Sequence, residues 1–264
     1  MTGSPEANTL TLKMSRIASS FSRLCGRQLG SSLAVAAVFS LTWPGAAAVA
    51  AQQPDSASVI RLVDAAVKAR IDHVESYTVT EHYSVYRGND QTHPTAEMTV
   101  QTLYRQGYGK SYTILSESGS EFIRNHVLRT LLYNEKSLNL PGTVEHSWFT
   151  SANYEMQLKP GGVQLLDGRE CIALAIHPKH KATNMIDGTL MVDSKDGSIV
   201  QLDGSATQSA SIFTGAAQVM RHYVNVSGFS MATQARAVSD SFLLGRTIVT
   251  IDYRDYKIQL RPAR

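Results

Sequence analysis

"GTLMVDSKDGSIVQLDG", residues 188–204, decides how the rest of the chain is read. Two short runs of alternating apolar residues flank Lys195-Asp196-Gly197. A side-chain period of two belongs to a strand with one face buried. Asp-Gly accepts positive φ at little cost and suits the turn between two strands. The stretch therefore predicts a β-hairpin, and a chain made of many such units predicts an antiparallel sheet.

Downstream, the same pattern predicts strands at about 217–226, 229–240 and 246–257, separated by Gly228 and Gly245. Upstream, "NYEMQLKPGGVQLLDGRECIALAIHP" carries turn signals at Pro160-Gly161-Gly162 and Asp167-Gly168, the second suited to a two-residue hairpin. Further back, Tyr77, Val79, Tyr83 and Val85 share one face, with Thr78, Thr80, His82 and Ser84 on the other. Strands at 96–106 and 109–117, turning near Gly107, complete a meander rich in β-branched and aromatic residues.

Two segments switch to helical spacing. In "SASVIRLVDAAVKARI", capped by Asp55 or Ser56, Val59, Ile60, Val63, Ala66, Val67 and Ile71 recur at three- and four-residue steps. Its other face mixes Arg61, Asp64, Lys68 and Arg70, which favours packing on a core over lying on a membrane. "SEFIRNHVLRTLLYNEKSL", with Ser120 as N-cap, repeats the pattern through Ile123, Val127, Leu128, Leu131 and Leu132 until Pro141-Gly142.

The fold class expected is α+β, mainly antiparallel β: about ten strands and two or so helices in one domain, 51–264, with no linker to divide it. A twisted sheet of that size curls, and its open edges are aggregation hazards. The curl predicts an unclosed half-barrel whose concave face two helices do not fill. Such hollows hold one hydrophobic ligand. The candidates for its lining are Tyr77, Val79, Tyr83, Val85, Met98, Val100, Tyr112 and Ile114. For the tyrosines, ordinary cross-strand packing stands as the alternative.

The first fifty residues run basic, apolar, small: Lys13, Arg16, Arg23 and Arg27, then "SSLAVAAVFSLTW", then "PGAAAVAAQQPDS". This order predicts a cleaved secretory signal over 1–50, with Ala48-Val49-Ala50 ahead of the cut and Met1 or Met14 as the start. The apolar run falls short of the roughly 20 residues a spanning helix needs. Removing 1–50 takes Lys and Arg from 25 to 21 and Asp and Glu from 22 to 21, leaving a neutral chain. No basic stripe remains to release counterions from a phosphate backbone, so nucleic acid is not an expected partner. The same cut removes Cys25 and leaves Cys171, which alternates with bulky apolar neighbours and reads as a buried small side chain.

Motifs of catalysis and metal binding are sparse. His177 and His180 stand beside Lys179 and Lys181, which oppose a divalent ion. "GYGKS", 107–111, lacks the first glycine of a nucleotide loop and reads as a turn. Asp193, Asp196 and Asp203 do not have calcium-loop spacing. No cofactor is expected, and a catalytic group would require Glu81, His82 and His126 to meet through folding.

A short N-terminal helix, a strand meander and a late hairpin with Gly188, Leu190, Val192, Asp193, Ile199, Val200 and Leu202 resemble the LolA/LolB-like periplasmic lipoprotein-carrier superfamily, which includes RseB-type domains. The resemblance covers roughly 55–258. It implies an unclosed β-barrel with a helical lid that binds acyl chains of lipids or lipoproteins without a cofactor, in the periplasm or outside the cell, with transient membrane contact. The family's RseB-type members suggest an alternative, an envelope-sensing or scaffold module that uses sheet edges, expected at 77–87 and 246–257, to hold a protein partner.

Overall fold

The computed structural model describes residues 55–182, 184–208, 217–241 and 245–262. The expected signal segment, 1–50, lies outside them. Asp55 caps helix α1 (Ser56–His73), its carboxylate accepting from the amides of Ala57 and Ser58. The chain then passes straight into β1 (Val74–Arg87), β2 (Ala96–Arg105) and β3 (Gly109–Gly119). A helical segment follows: α2 (Glu121–Ile123), a π-helical turn (Arg124–Leu128) and α3 (Arg129–Leu138). The remaining strands are β4 (Tyr154–Leu166), β5 (Arg169–Pro178), β6 (Ile186–Asp193), β7 (Ile199–Ala206), β8 (Ala217–Val226), β9 (Phe229–Ser241) and β10 (Gly245–Leu260).

Among the described residues, ten strands form one sheet in the order β3-β2-β1-β10-β9-β8-β7-β6-β5-β4, antiparallel at each pairing. The sheet is unclosed, because β3 and β4 end it without pairing each other. One helix requires it to be curved. α1 packs against β1, β9 and β4, and a flat sheet would separate β1 from β4 by roughly 34 Å. An 18-residue helix is only about 27 Å long.

The first and last strands meet in the middle: β1 pairs with β10 from Val74↔Leu260 to Arg87↔Thr247. The segments 77–87 and 246–257 are therefore central rather than edge strands. The edges fall at the meander's own outer strand, β3, and at β4. The cause is topological, since joining the two ends of the meander covers both terminal strands at once.

Turn chemistry departs from expectation at two places. Asp167-Gly168 forms the two-residue hairpin, both residues at positive φ (50° and 76°), but Pro160-Gly161-Gly162 does not turn the chain. It sits inside β4 as a bulge between Leu158 and Val163. In the 188–204 hairpin only Gly197 takes positive φ, at 72°. Asp196 instead uses its carboxylate, accepting from the Ser198 amide at 2.8 Å. A Cβ on Gly197 would stand 2.3 Å from the Leu62 carbonyl carbon, so this turn lies directly against α1.

Three apolar clusters hold the sheet. α1 sends Val59 and Val63 onto Leu174, Leu190, Val192 and Leu202. The 121–138 helical segment sends Ile123, Val127, Leu128 and Leu132 onto the other end, β1, β2 and β10. Between them a smaller cluster contains Tyr77, Val79, Met231 and Tyr253. Cys171 is fully buried, as its alternating neighbours imply.

Candidate functional site

Between the helices the concave face is left open. A cavity of about 620 Å³ lies there, bounded by β1, β7 to β10, α1, α3 and the loop of Trp148 and Phe149. The void has a cause in the sequence. Across the middle of the sheet β9 presents Ala235, Ala237 and Ser239, and α1 presents Ala66 and Ala69, where larger side chains would meet. Asp64 on α1 fixes the rim, its carboxylate accepting from the amide and hydroxyl of Ser151 at 2.7 and 2.6 Å.

Of the eight lining candidates, Tyr77, Val79 and Tyr83 face the cavity. Tyr77 does so while stacking on its cross-strand neighbour Tyr104, with ring centroids 5.0 Å apart, so packing and lining are both served. The other five lie elsewhere. Val85, Met98 and Val100 are buried beneath the 121–138 segment, and Tyr112 and Ile114 pack at the border of that cluster. The helices cover these positions, and their placement is a matter of tertiary packing that strand periodicity does not encode.

One wall of the cavity is charged. Glu81 on β1, Lys110 on β3, Glu135 on α3 and Arg221 on β8 all line it. Lys110 Nζ donates to Glu135 Oε1. Tyr83 Oη lies 2.5 Å from Glu81 Oε2 and 3.2 Å from Glu135 Oε2. Burial pushes the Glu81 carboxyl up from its ordinary range. Tyr83 Oη is the donor in both contacts, so its one proton is shared between the carboxylates of Glu81 and Glu135. Glu135 moves the other way: burial opposes its charge, but the Lys110 ammonium beside it prevails and holds the carboxyl low. Burial raises the Tyr83 and Tyr253 phenols, which stay protonated.

Read from sequence, Glu81 is weighed only for catalysis and Lys110, Glu135 and Arg221 are passed over, yet each of the four leaves a signal. Glu81 interrupts the inward stripe Tyr77, Val79, Tyr83, Val85. Lys110 begins the stripe of Tyr112 and Ile114, Glu135 continues Leu128, Leu131 and Leu132, and Arg221 stands between Val219 and Tyr223. A charge at a core phase of the period is the informative exception.

The residues weighed for catalysis are not brought together. His82 points to the opposite face from Glu81, beside Thr99 and Glu97, and His126 stacks on exposed Phe122. His177 meets Asp187 at 3.1 Å, and among the described residues no group of three or more His, Cys, Asp and Glu could hold a metal ion. Among them too, no helix is long and apolar enough to cross a membrane.

No protein-family model matches the sequence, and no curated protein does. The chain is similar in structure to a LolA superfamily protein from Nitrosomonas europaea, at 12% identity and a TM-score of 0.43, over 79% of this chain and 96% of that one. It is likewise similar to a domain from Vibrio parahaemolyticus described as an outer membrane lipoprotein-sorting protein, at 13% identity, TM-score 0.44, over 78% and 94%. A third similarity is to a DUF1329 family protein from Desulfovibrio piger, at 12% identity, TM-score 0.37, over 77% and 93%.

Proposed function

We propose that the chain is an exported envelope protein that binds a hydrophobic ligand, an acyl chain of a lipid or lipoprotein, between its sheet and its helices. The observation that carries this reading is the cavity of about 620 Å³ with largely apolar walls. Its volume falls within the roughly 300–1,000 Å³ of small-molecule sites. Each methylene moved there from water contributes about 0.8 kcal/mol. The basic, apolar, small order of residues 1–50 supports export.

Two measurements test it. Native mass spectrometry of the chain purified without detergent from its own envelope should find a bound amphiphile. The uncharged dye N-phenylnaphthylamine should bind, and Ala237→Phe, which places a ring into the void, should weaken it about tenfold. A chain that carries no amphiphile and takes up no dye is not a hydrophobic-ligand binder.

A second reading has its own observation. Among the described residues β3 and β4 pair on one side only, and outer β4 exposes Val163 and Leu165. An edge of this kind accepts a partner strand. Crosslinking in intact cells that captures one protein, with delipidated chain keeping that contact, favours an envelope scaffold instead.

A further inference from the structure

Follow one row of side chains across the sheet: Tyr83, Ile251, Ala235, Arg221, Leu202, Leu190, Leu174, Leu158, each paired with the next. Arg221 is the only charge in it, and it lines the cavity. Among the described residues no carboxylate forms an ion pair with it, and its Nε is buried without a hydrogen-bond partner. Its polar company is two phenols, Tyr223 and Tyr253, and the carboxylate of Glu135, whose ion pair is already with Lys110. Neither nearby carboxylate is therefore given to Arg221: Glu135 is paired with Lys110, and Glu81 accepts from Tyr83.

A guanidinium that lines a largely apolar cavity with no carboxylate in ion-pair contact and a buried, unpartnered Nε is costly, and its planar fork matches carboxylate and phosphate oxygens. We infer that Arg221 is the head-group subsite of the cavity, so that the ligand is an amphiphile with one anionic oxygen head, carboxylate or phosphate, whose tail lies along the apolar walls. This rests on the hydrophobic-ligand reading above and narrows it, because a neutral acyl ester would leave Arg221 uncompensated.

The test compares matched pairs on the full chain by displacement of N-phenylnaphthylamine: oleate against methyl oleate, and oleoyl lysophosphatidate against mono-olein. At least one anion should bind ten or more times tighter than its neutral partner, and which pair shows it separates carboxylate from phosphate. Arg221→Gln should bring that ratio to within about twofold of one, and Arg221→Lys, which keeps the charge, should retain part of it. The wild-type ratios need no variant, so a misfolded Arg221→Gln does not protect the idea. If the dye and both members of each pair bind but the ratios are near one, the head-group subsite is wrong and the apolar cavity stands. If neither dye nor amphiphile binds, both fall.

Discussion

Lys110 Nζ donates to Glu135 Oε1, tying the edge strand β3 to helix α3 across 25 residues of sequence. Both side chains are mostly enclosed, with 13% and 30% of their surface exposed, and the pair closes one wall of the cavity. Their surroundings set how the fold answers to mutation and to pH.

Breaking this pair on one side leaves the Lys110 ammonium without its ion-pair partner. Glu135→Leu should cost about 2–4 kcal/mol, less than a fully dry pair because the cavity lets some water reach it. Replacing both partners, Lys110→Met with Glu135→Leu, should recover most of the loss. Urea denaturation with unchanged slope measures it; a double variant as unstable as the single would mean that the pair does more than neutralise itself.

Glu81 should make the fold respond to pH in the direction opposite to Glu135. Its folded carboxyl holds the proton to higher pH than the unfolded chain does, so its contribution is complete in acid and declines as pH rises through the raised value. Glu135 is held low, so its contribution is present above the ordinary glutamate range and is lost as pH falls. Glu81→Gln stays neutral throughout. Across about pH 4 to 8 its urea midpoint should climb relative to wild type. Parallel curves would show that the Glu81 carboxyl titrates in the fold as it does in the unfolded chain.

The two turn glycines should respond differently to alanine. At Gly168 nothing lies within 4 Å of a new Cβ, so Gly168→Ala suffers only the φ of 76°, about 1 kcal/mol. At Gly197 the methyl would run into the Leu62 and Val63 backbone, and a helix cannot shift one turn by itself. Gly197→Ala should cost about 3 kcal/mol or more and loosen α1, visible as faster amide exchange over 56–73. Equal costs at the two sites would place the hairpin away from the helix.

Core and edge leucines offer a simpler contrast. Leu190 is fully buried against α1, and Leu190→Ala should lose about 2–5 kcal/mol through the cavity it leaves. Leu165, 77% exposed on edge strand β4, should change stability by no more than about 0.5 kcal/mol as Leu165→Ala. Thermal unfolding of both variants decides it; a large loss at Leu165 would mean that β4 is covered in solution.

The alternation in 188–204 and its kin was enough to set ten antiparallel strands, two helical segments and the curl, because a period of two or of 3.6 is a local consequence of backbone geometry. That same periodicity put Tyr77, Val79 and Tyr83 on the inward face. It was silent on which part of that face stays open. The 121–138 segment covers Val85, Met98 and Val100, while the alanines of α1 and β9 leave the cavity beside them. Nor does alternation say which strands end the sheet: β1 meets β10 because the first and last strands of the meander come together, a contact across more than 180 positions that no local window contains. Glu81, Lys110, Glu135 and Arg221 show the division most clearly. Each breaks an apolar stripe in the sequence, but only the folded chain, by curving four distant segments around one hollow, decides that the four ionisable side chains line the same cavity.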